Sequence, residues 1–142
     1  MANDTKKIGT ALIHAFNEDH SLGGWAALLA PGYAADYPGA PRLDAEKARA
    51  YNQVMMSAFP DARFHVRNTL VDGHLVCAEW TVTGTHTGPL LAPDGQTITA
   101  TGKRMTESGV FVAEVRNERI VREAAYWNLF SLLAQLGILP GA

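Results

Sequence analysis

The stretch RFHVRNTLVDGHLVCAEWTVTGTHTG, Arg63 to Gly88, decides the fold class. Its apolar side chains follow the twofold alternation of a strand, with Trp80 and Val82 in one phase as an apolar inward face, and Asp72-Gly73 is a turn dipeptide between two such runs. The alternation continues through turns at Pro93-Asp94-Gly95 and Arg116-Asn117-Glu118, which gives three long strands and a final one over Ile120 to Trp127.

Upstream the period changes. Asp4 is placed to cap a first helix in which Ile8, Leu12, Ile13 and Phe16 recur at helical spacing, ended by Asn17 to His20. A short helical piece at Trp25 to Leu29 is stopped by Pro31-Gly32, and Tyr33 to Tyr37 reads as a brief strand ending at Pro38. Asp44 caps a further helix through Ala58. Downstream, Leu129 to Leu139 can fold as a helical turn or two over an open end of the sheet. Helices first, strands second and no internal repeat predict a single α+β domain over residues 1–142, a curved antiparallel sheet wrapped around the N-terminal helices and leaving an internal pocket.

With 47% hydrophobic and 18% charged residues, the chain has material for one core. Its 12 basic and 14 acidic residues are scattered without a like-charge run, so a nucleic-acid partner is not expected. Cys77 is the sole cysteine, which rules out an internal disulfide and a cysteine metal cluster. The polar start, Met1 to Lys7, leads into an amphipathic pattern and not into an apolar leader or membrane span, so a cytoplasmic protein with no membrane partner is expected. His14, His20, His65 and His74 lack metal-ligand spacing, and no metal is expected.

Phe59-Pro60-Asp61 before a strand, Gly84-Thr85-His86-Thr87-Gly88 at the end of the next and Gln135-Leu136-Gly137 near the C-terminus resemble, in order and spacing, the SnoaL-like polyketide cyclases of the nuclear transport factor 2-like superfamily. The resemblance covers nearly the whole chain. It implies a cone-shaped fold, a homodimer joined through the outer face of the sheet where Glu79 lies, no cofactor, and a place in secondary metabolism such as antibiotic biosynthesis. Such a fold also hosts epoxide hydrolases, isomerases, hydroxylase-like proteins and simple binding modules. The family's general base, an aspartate before the closing helix, falls at Asn128, and a pocket histidine of some cyclases falls at Phe111. An amide cannot take a proton at neutral pH, so Asn128 can only orient an oxygen.

Two carboxylates are candidates for the missing base. Met105, Glu107, Gly109 and Phe111 share one strand face, which includes the family's pocket positions; Glu107 either points inward with them or is solvated by a one-residue shift of register. Asp36 lies after Tyr33, where relatives carry a pocket histidine, and is either a mouth carboxylate or a turn residue before Pro38. Side by side in a cavity, the two would hold different apparent pKa values and serve as acid and base. His86 keeps the phase of Trp80 and Val82 and either reaches the ligand or fixes its glycine-flanked turn. Tyr126, Asn128 and Arg122 share a face of the last strand; with Trp80, Met105 and Phe111 they are read as cavity lining, unless Arg122 turns outward to Glu114 or Glu123, and Trp127 is placed on the outer side.

The sequence thus points to an isomerase- or lyase-type enzyme acting by acid–base catalysis on an apolar oxygenated small molecule, by ring closure, isomerisation or epoxide opening. A hydroxylase component or a non-catalytic binding module are the competing readings.

Overall fold

The computed structural model describes residues 2–92 and 95–138. Helix α1, Ala2–Glu18, turns Leu12, Ile13 and Phe16 into the interior, with Asp4 inside its first turn and not before it as a cap. A one-turn helix α2, Gly23–Ala26, carries the fully buried Trp25. Helix α3, Ala45–Ala58, starts as the sequence predicts, the Asp44 carboxylate accepting from the Lys47 N–H at 2.9 Å.

The strands are β1 (Leu29–Asp36), β2 (Arg63–Asp72), β3 (Leu75–Thr85), β4 (Leu90–Leu91), β5 (Thr97–Ile98), β6 (Arg104–Arg116) and β7 (Arg119–Trp127), followed by helix α4, Leu129–Gln135. Five of them form one sheet in the order β1-β7-β6-β3-β2, antiparallel except where β1 runs parallel to β7, while β4 and β5 make a small ribbon. Pro93 and Asp94 of the expected third turn lie outside the described residues. The brief strand expected at Tyr33 begins instead at Leu29 and passes through Pro31-Gly32, where the register against β7 shifts. Proline is tolerated there because β1 is an edge strand and Gly32 takes up φ 81°.

The two family-like motifs upstream of the site have a physical basis in how β3 is tied to α3. Asp61 accepts from the Thr85 N–H at 2.7 Å, and the Thr87 and Gly88 N–H groups both donate to the Ala58 carbonyl at 3.1 Å. A Cβ on Gly88 would stand 2.0 Å from the Ser57 carbonyl oxygen, so only glycine permits this approach. Inside the curve of the sheet, Val76, Trp80 and Val82 from β3 and Phe111, Ala113 and Val115 from β6 meet the helices in one apolar core.

One irregularity sets the site. The turn Asn117-Glu118, both residues at positive φ, pairs Arg116 with Arg119 and Val115 with Ile120, but the next pair is Glu114 with Arg122. Val121 is therefore an extra residue on β7, a bulge beyond which the inward phase passes from even to odd positions.

Candidate active site

Between α1, α3 and the sheet lies an apolar cavity of about 100 Å³, whose walls include Leu12, Phe16, Met55, Met56, Phe59, Phe64, Met105, Phe111, Trp127 and Leu132. Its polar groups are Tyr37, Tyr51, Asn52, Glu107 and Glu123. An outer hollow of about 350 Å³ lies beside it, lined by Ala50, Val54, Leu90, Ile98 and Leu133 among others, and the two share Tyr51, Met55, Trp127 and Leu132 as a common wall.

β6 brings Glu107 into the cavity in phase with Met105 and Phe111, and only 7% of the residue is exposed. Gln135 on α4 holds it: its side-chain N–H donates to the Glu107 carboxylate at 2.7 Å and to the Thr106 carbonyl at 3.0 Å, while its oxygen accepts from the Thr106 N–H at 2.8 Å. The glutamine thus mimics a strand partner and closes α4 onto β6. Gln135 is the one hydrogen-bond partner of the Glu107 carboxylate among the described residues, leaving acceptor capacity unused in an apolar enclosure.

The second carboxylate is one that sequence reasoning missed. Beyond the bulge, β7 turns Glu123, Ala125 and Trp127 inward and Arg122 and Tyr126 outward. Glu123 is 3% exposed, and its Oε1 accepts from the Tyr33 hydroxyl at 2.7 Å and the Trp25 indole N–H at 3.3 Å. Burial raises its pKa above the ordinary carboxylate value, against the opposing pull of hydrogen bonds from Tyr33, Trp25 and Tyr37. The Tyr37 hydroxyl lies 3.2 Å from that of Tyr33 and accepts from the Asn52 amide at 3.1 Å. Burial and then the Glu123 charge push both phenols well above their usual value. A signal for this phase was in the sequence: Ile120 and Trp127 are both large and apolar but opposite in parity, which one regular strand cannot bury together.

Several expected site residues lie elsewhere. Asp36 is on the outer side of β1, beyond the cavity, with its carboxylate 2.8 Å from the Arg42 Nη2 and 3.6 Å from the Arg122 Nη2. The Arg42 hydrogen bond, chiefly, holds its pKa below the ordinary value, so it does not sit beside Glu107 as a paired acid and base. Arg122 accordingly pairs with Asp36, while Glu114 pairs with Arg116 at 3.2 Å. Tyr126 is 56% exposed on the convex face. Asn128 is the exposed cap of α4, its side-chain oxygen accepting from the Ser131 N–H at 3.0 Å, so it cannot orient a ligand oxygen within the cavity. Trp127, expected outside, is cavity wall.

Trp80 is core and not cavity lining: its ring meets Phe64 edge-on at 5.1 Å and covers Gly109, where a Cβ would come within 2.7 Å of the indole. Tyr33 stands behind the cavity and reaches it through Glu123. His86 is fully buried outside the cavity, its ring tilted against that of Phe59 with centroids 5.5 Å apart, its Nδ1 accepting from the Thr101 N–H at 3.2 Å. Burial lowers its pKa, with the Gly88 backbone pulling weakly the other way. Met105 and Phe111 do line the cavity. No cluster of three metal-ligating side chains occurs among the described residues, and no described helix is long and apolar enough to cross a membrane.

A family model described as SnoaL-like polyketide cyclase matches residues 8–136. None of the curated proteins compared matches the chain. Among solved structures, the proposed hydroxylase AclR from Streptomyces galilaeus superposes with a TM-score of 0.85 at 21% identity, over 100% of this chain and 86% of that one. A proposed SnoaL-like polyketide cyclase from a Jannaschia species gives 0.85 at 18% identity, over 98% and 95% of the two chains. IdmH, a proposed polyketide cyclase from Streptomyces antibioticus, gives 0.76 at 25% identity, over 94% and 98%. A further neighbour, from Catenulispora acidiphila, is described as having a ketosteroid isomerase-like fold.

Proposed function

The chain belongs to the SnoaL-like polyketide cyclase family, and from that premise we propose that it is a cofactor-free acid–base enzyme of secondary metabolism in which Glu107 replaces the carboxylate absent from Asn128. The observation that carries this reading is a buried glutamate with unused acceptor capacity, fixed by Gln135 in an apolar cavity. Glu107 takes a proton from a carbon next to a carbonyl. The resulting enolate carbon attacks a second carbonyl of the same molecule, forming the ring bond, and the new alkoxide takes its proton back from Glu107, so atoms and charge balance. In isomerisation the same carboxyl returns the proton to a different carbon. A positioned base of this kind contributes about 10²- to 10⁴-fold.

The substrate is an apolar, oxygenated small molecule. The cavity's about 100 Å³ falls below the roughly 300 Å³ at which ligand pockets begin. A substrate therefore enters by displacing the flexible Met55, Met56 and Met105 side chains, or by parting the wall shared with the outer hollow.

The test is deuterium exchange at the acidic methylene of 2-tetralone, followed by NMR in D₂O. The native protein accelerates exchange over buffer, and Glu107→Gln loses the acceleration with its fold intact. Equal exchange by Glu107→Gln rules out Glu107 as base; no acceleration by either protein favours a binding module or the hydroxylase component suggested by the likeness to AclR. We propose also a homodimer through the convex face of the sheet, on the strength of the exposed Leu70 and Tyr126 there. Leu70→Lys would make it monomeric in light scattering; a native monomer refutes the dimer.

A further inference from the structure

The wall between the inner cavity and the outer hollow stands close to Glu107. Trp127 pairs across the sheet with Gly109, two residues along β6 from Glu107, or roughly 7 Å. Leu132 precedes Gln135, the residue that holds Glu107, by three positions on α4, a rise of about 4.5 Å. Trp127 and Leu132 both belong to the shared wall, so the Glu107 carboxylate is placed near the junction of the two spaces. The larger space, about 350 Å³ against about 100 Å³, lies on the far side of that wall.

The chemistry of the outer hollow is uniform. No charged side chain lines it among the described residues, and its polar side-chain atoms are the Tyr51 hydroxyl and the Trp127 indole N–H. The Tyr51 hydroxyl donates to the Pro38 carbonyl at 2.6 Å, so its hydrogen is already used. A charged or hydrogen-bonding group brought into the hollow would lose its water with little to replace it, whereas hydrocarbon gains by leaving water. Leu91, 51% exposed, is part of the lining, so the hollow meets solvent. Of the four residues in the shared wall, Tyr51 is tied to Pro38, Leu132 is core and Trp127 ends β7. Met55, half-buried and unbranched, is the one that gives way at least cost.

We propose that the outer hollow is a hydrocarbon subsite of the active site, which takes the unoxygenated alkyl or aryl body of the substrate while the carbonyl end passes Met55 to reach Glu107. This rests on the reading of Glu107 as the base. It makes the substrate a molecule oxygenated at one end and apolar along the rest, and it supplies the space that the inner cavity lacks.

The experiment titrates 2-butanone, 2-hexanone, 2-octanone and 2-decanone into the ¹⁵N-labelled protein by two-dimensional NMR, and follows exchange of their α-protons in D₂O with the native protein and Glu107→Gln. The same spectra report whether each variant is folded. Affinity rises by about two- to fourfold per methylene, and levels off once the chain fills the hollow. The amides of Val54, Ile98 and Leu133 shift increasingly with chain length. Val54→Trp and Ala50→Trp each fill the hollow from α3, and either reduces the ratio of 2-octanone to 2-butanone affinity by tenfold or more. Affinity independent of chain length, or a length dependence that both tryptophan variants leave intact, overturns the subsite; Glu107-dependent exchange in the same samples leaves the base reading standing. Shifts of those amides with protein concentration alone, before ligand is added, mean that a second copy of the chain covers the hollow, and overturn the subsite as well. Affinity that rises with chain length with no exchange above buffer overturns the base reading, and with it the placing of the carbonyl end at Glu107.

Discussion

Glu123→Gln should make the protein more stable, by an amount that grows with pH. The native carboxyl is 3% exposed and its pKa lies above the ordinary value of 4.5, with burial the largest cause. Between 4.5 and that raised value the folded state holds a proton that the unfolded state has released. Stability therefore falls as pH rises through this window, by about 1.4 kcal/mol per pH unit, and levels off once Glu123 is ionised in both states. Glutamine keeps the acceptor for Tyr33 and Trp25, has nearly the same shape and never ionises, so the two proteins differ by no more than about 1 kcal/mol below the window. Every other titrating group is common to both, so it cancels in their difference. Urea unfolding of the two proteins at closely spaced pH values from 4 to 9 gives that difference directly, and the pH at which it levels off reads the native pKa of Glu123. A difference that stays flat, or one that grows in favour of glutamate, would refute the reasoning: it would mean that the hydrogen bonds from Tyr33 and Trp25 outweigh burial and hold a stable carboxylate.

Three further outcomes are expected. Gly88→Ala forces a Cβ against the Ser57 carbonyl 2.0 Å away and should cost about 1–3 kcal/mol in chemical denaturation, whereas the open Gly95, with nothing within 4 Å but φ 85°, tolerates alanine at the smaller cost of backbone strain alone. Asn128→Ala removes the α4 cap and should cost about 1 kcal/mol, while Asn128→Asp keeps the cap and creates no new base in the cavity; exchange of 2-tetralone rescued in a Glu107→Gln background by Asn128→Asp would contradict this. The imidazole of His86 should titrate below 6.5 in the folded protein, so stability falls as pH drops from 6.5 toward its native pKa; an NMR titration midpoint at or above 6.5 would contradict the burial argument.

Glu107 was legible because β6 alternates without interruption from Met105 to Phe111, so its inward phase follows from two apolar neighbours. Asp36 misled because the inward phase of β1 is set by Tyr33 and Ala35, and a carboxylate between them has to face the other way, where Arg42 and Arg122 meet it. The larger error was on β7. Counting from the Asn117-Glu118 turn with a regular hairpin puts Arg122 opposite Ala113 and hence inward, along with Tyr126 and Asn128. One unpaired residue, Val121, displaces that pairing so that Glu123 takes the place opposite Ala113. A bulge leaves no mark in composition or in local alternation, which is why the face was misassigned while the strand itself was found. Its trace lies only in the long-range demand that both Ile120 and Trp127 be buried, and that demand becomes visible once a strand is required to satisfy its partner across the whole sheet. The same displacement moves an arginine, a tyrosine and an asparagine out of the cavity and brings a glutamate into it. The bulge thereby converts a pocket that would have carried a cation into one lined by two carboxyl groups, Glu107 and Glu123, so the chemistry available to the fold depends on a single residue outside the cavity wall.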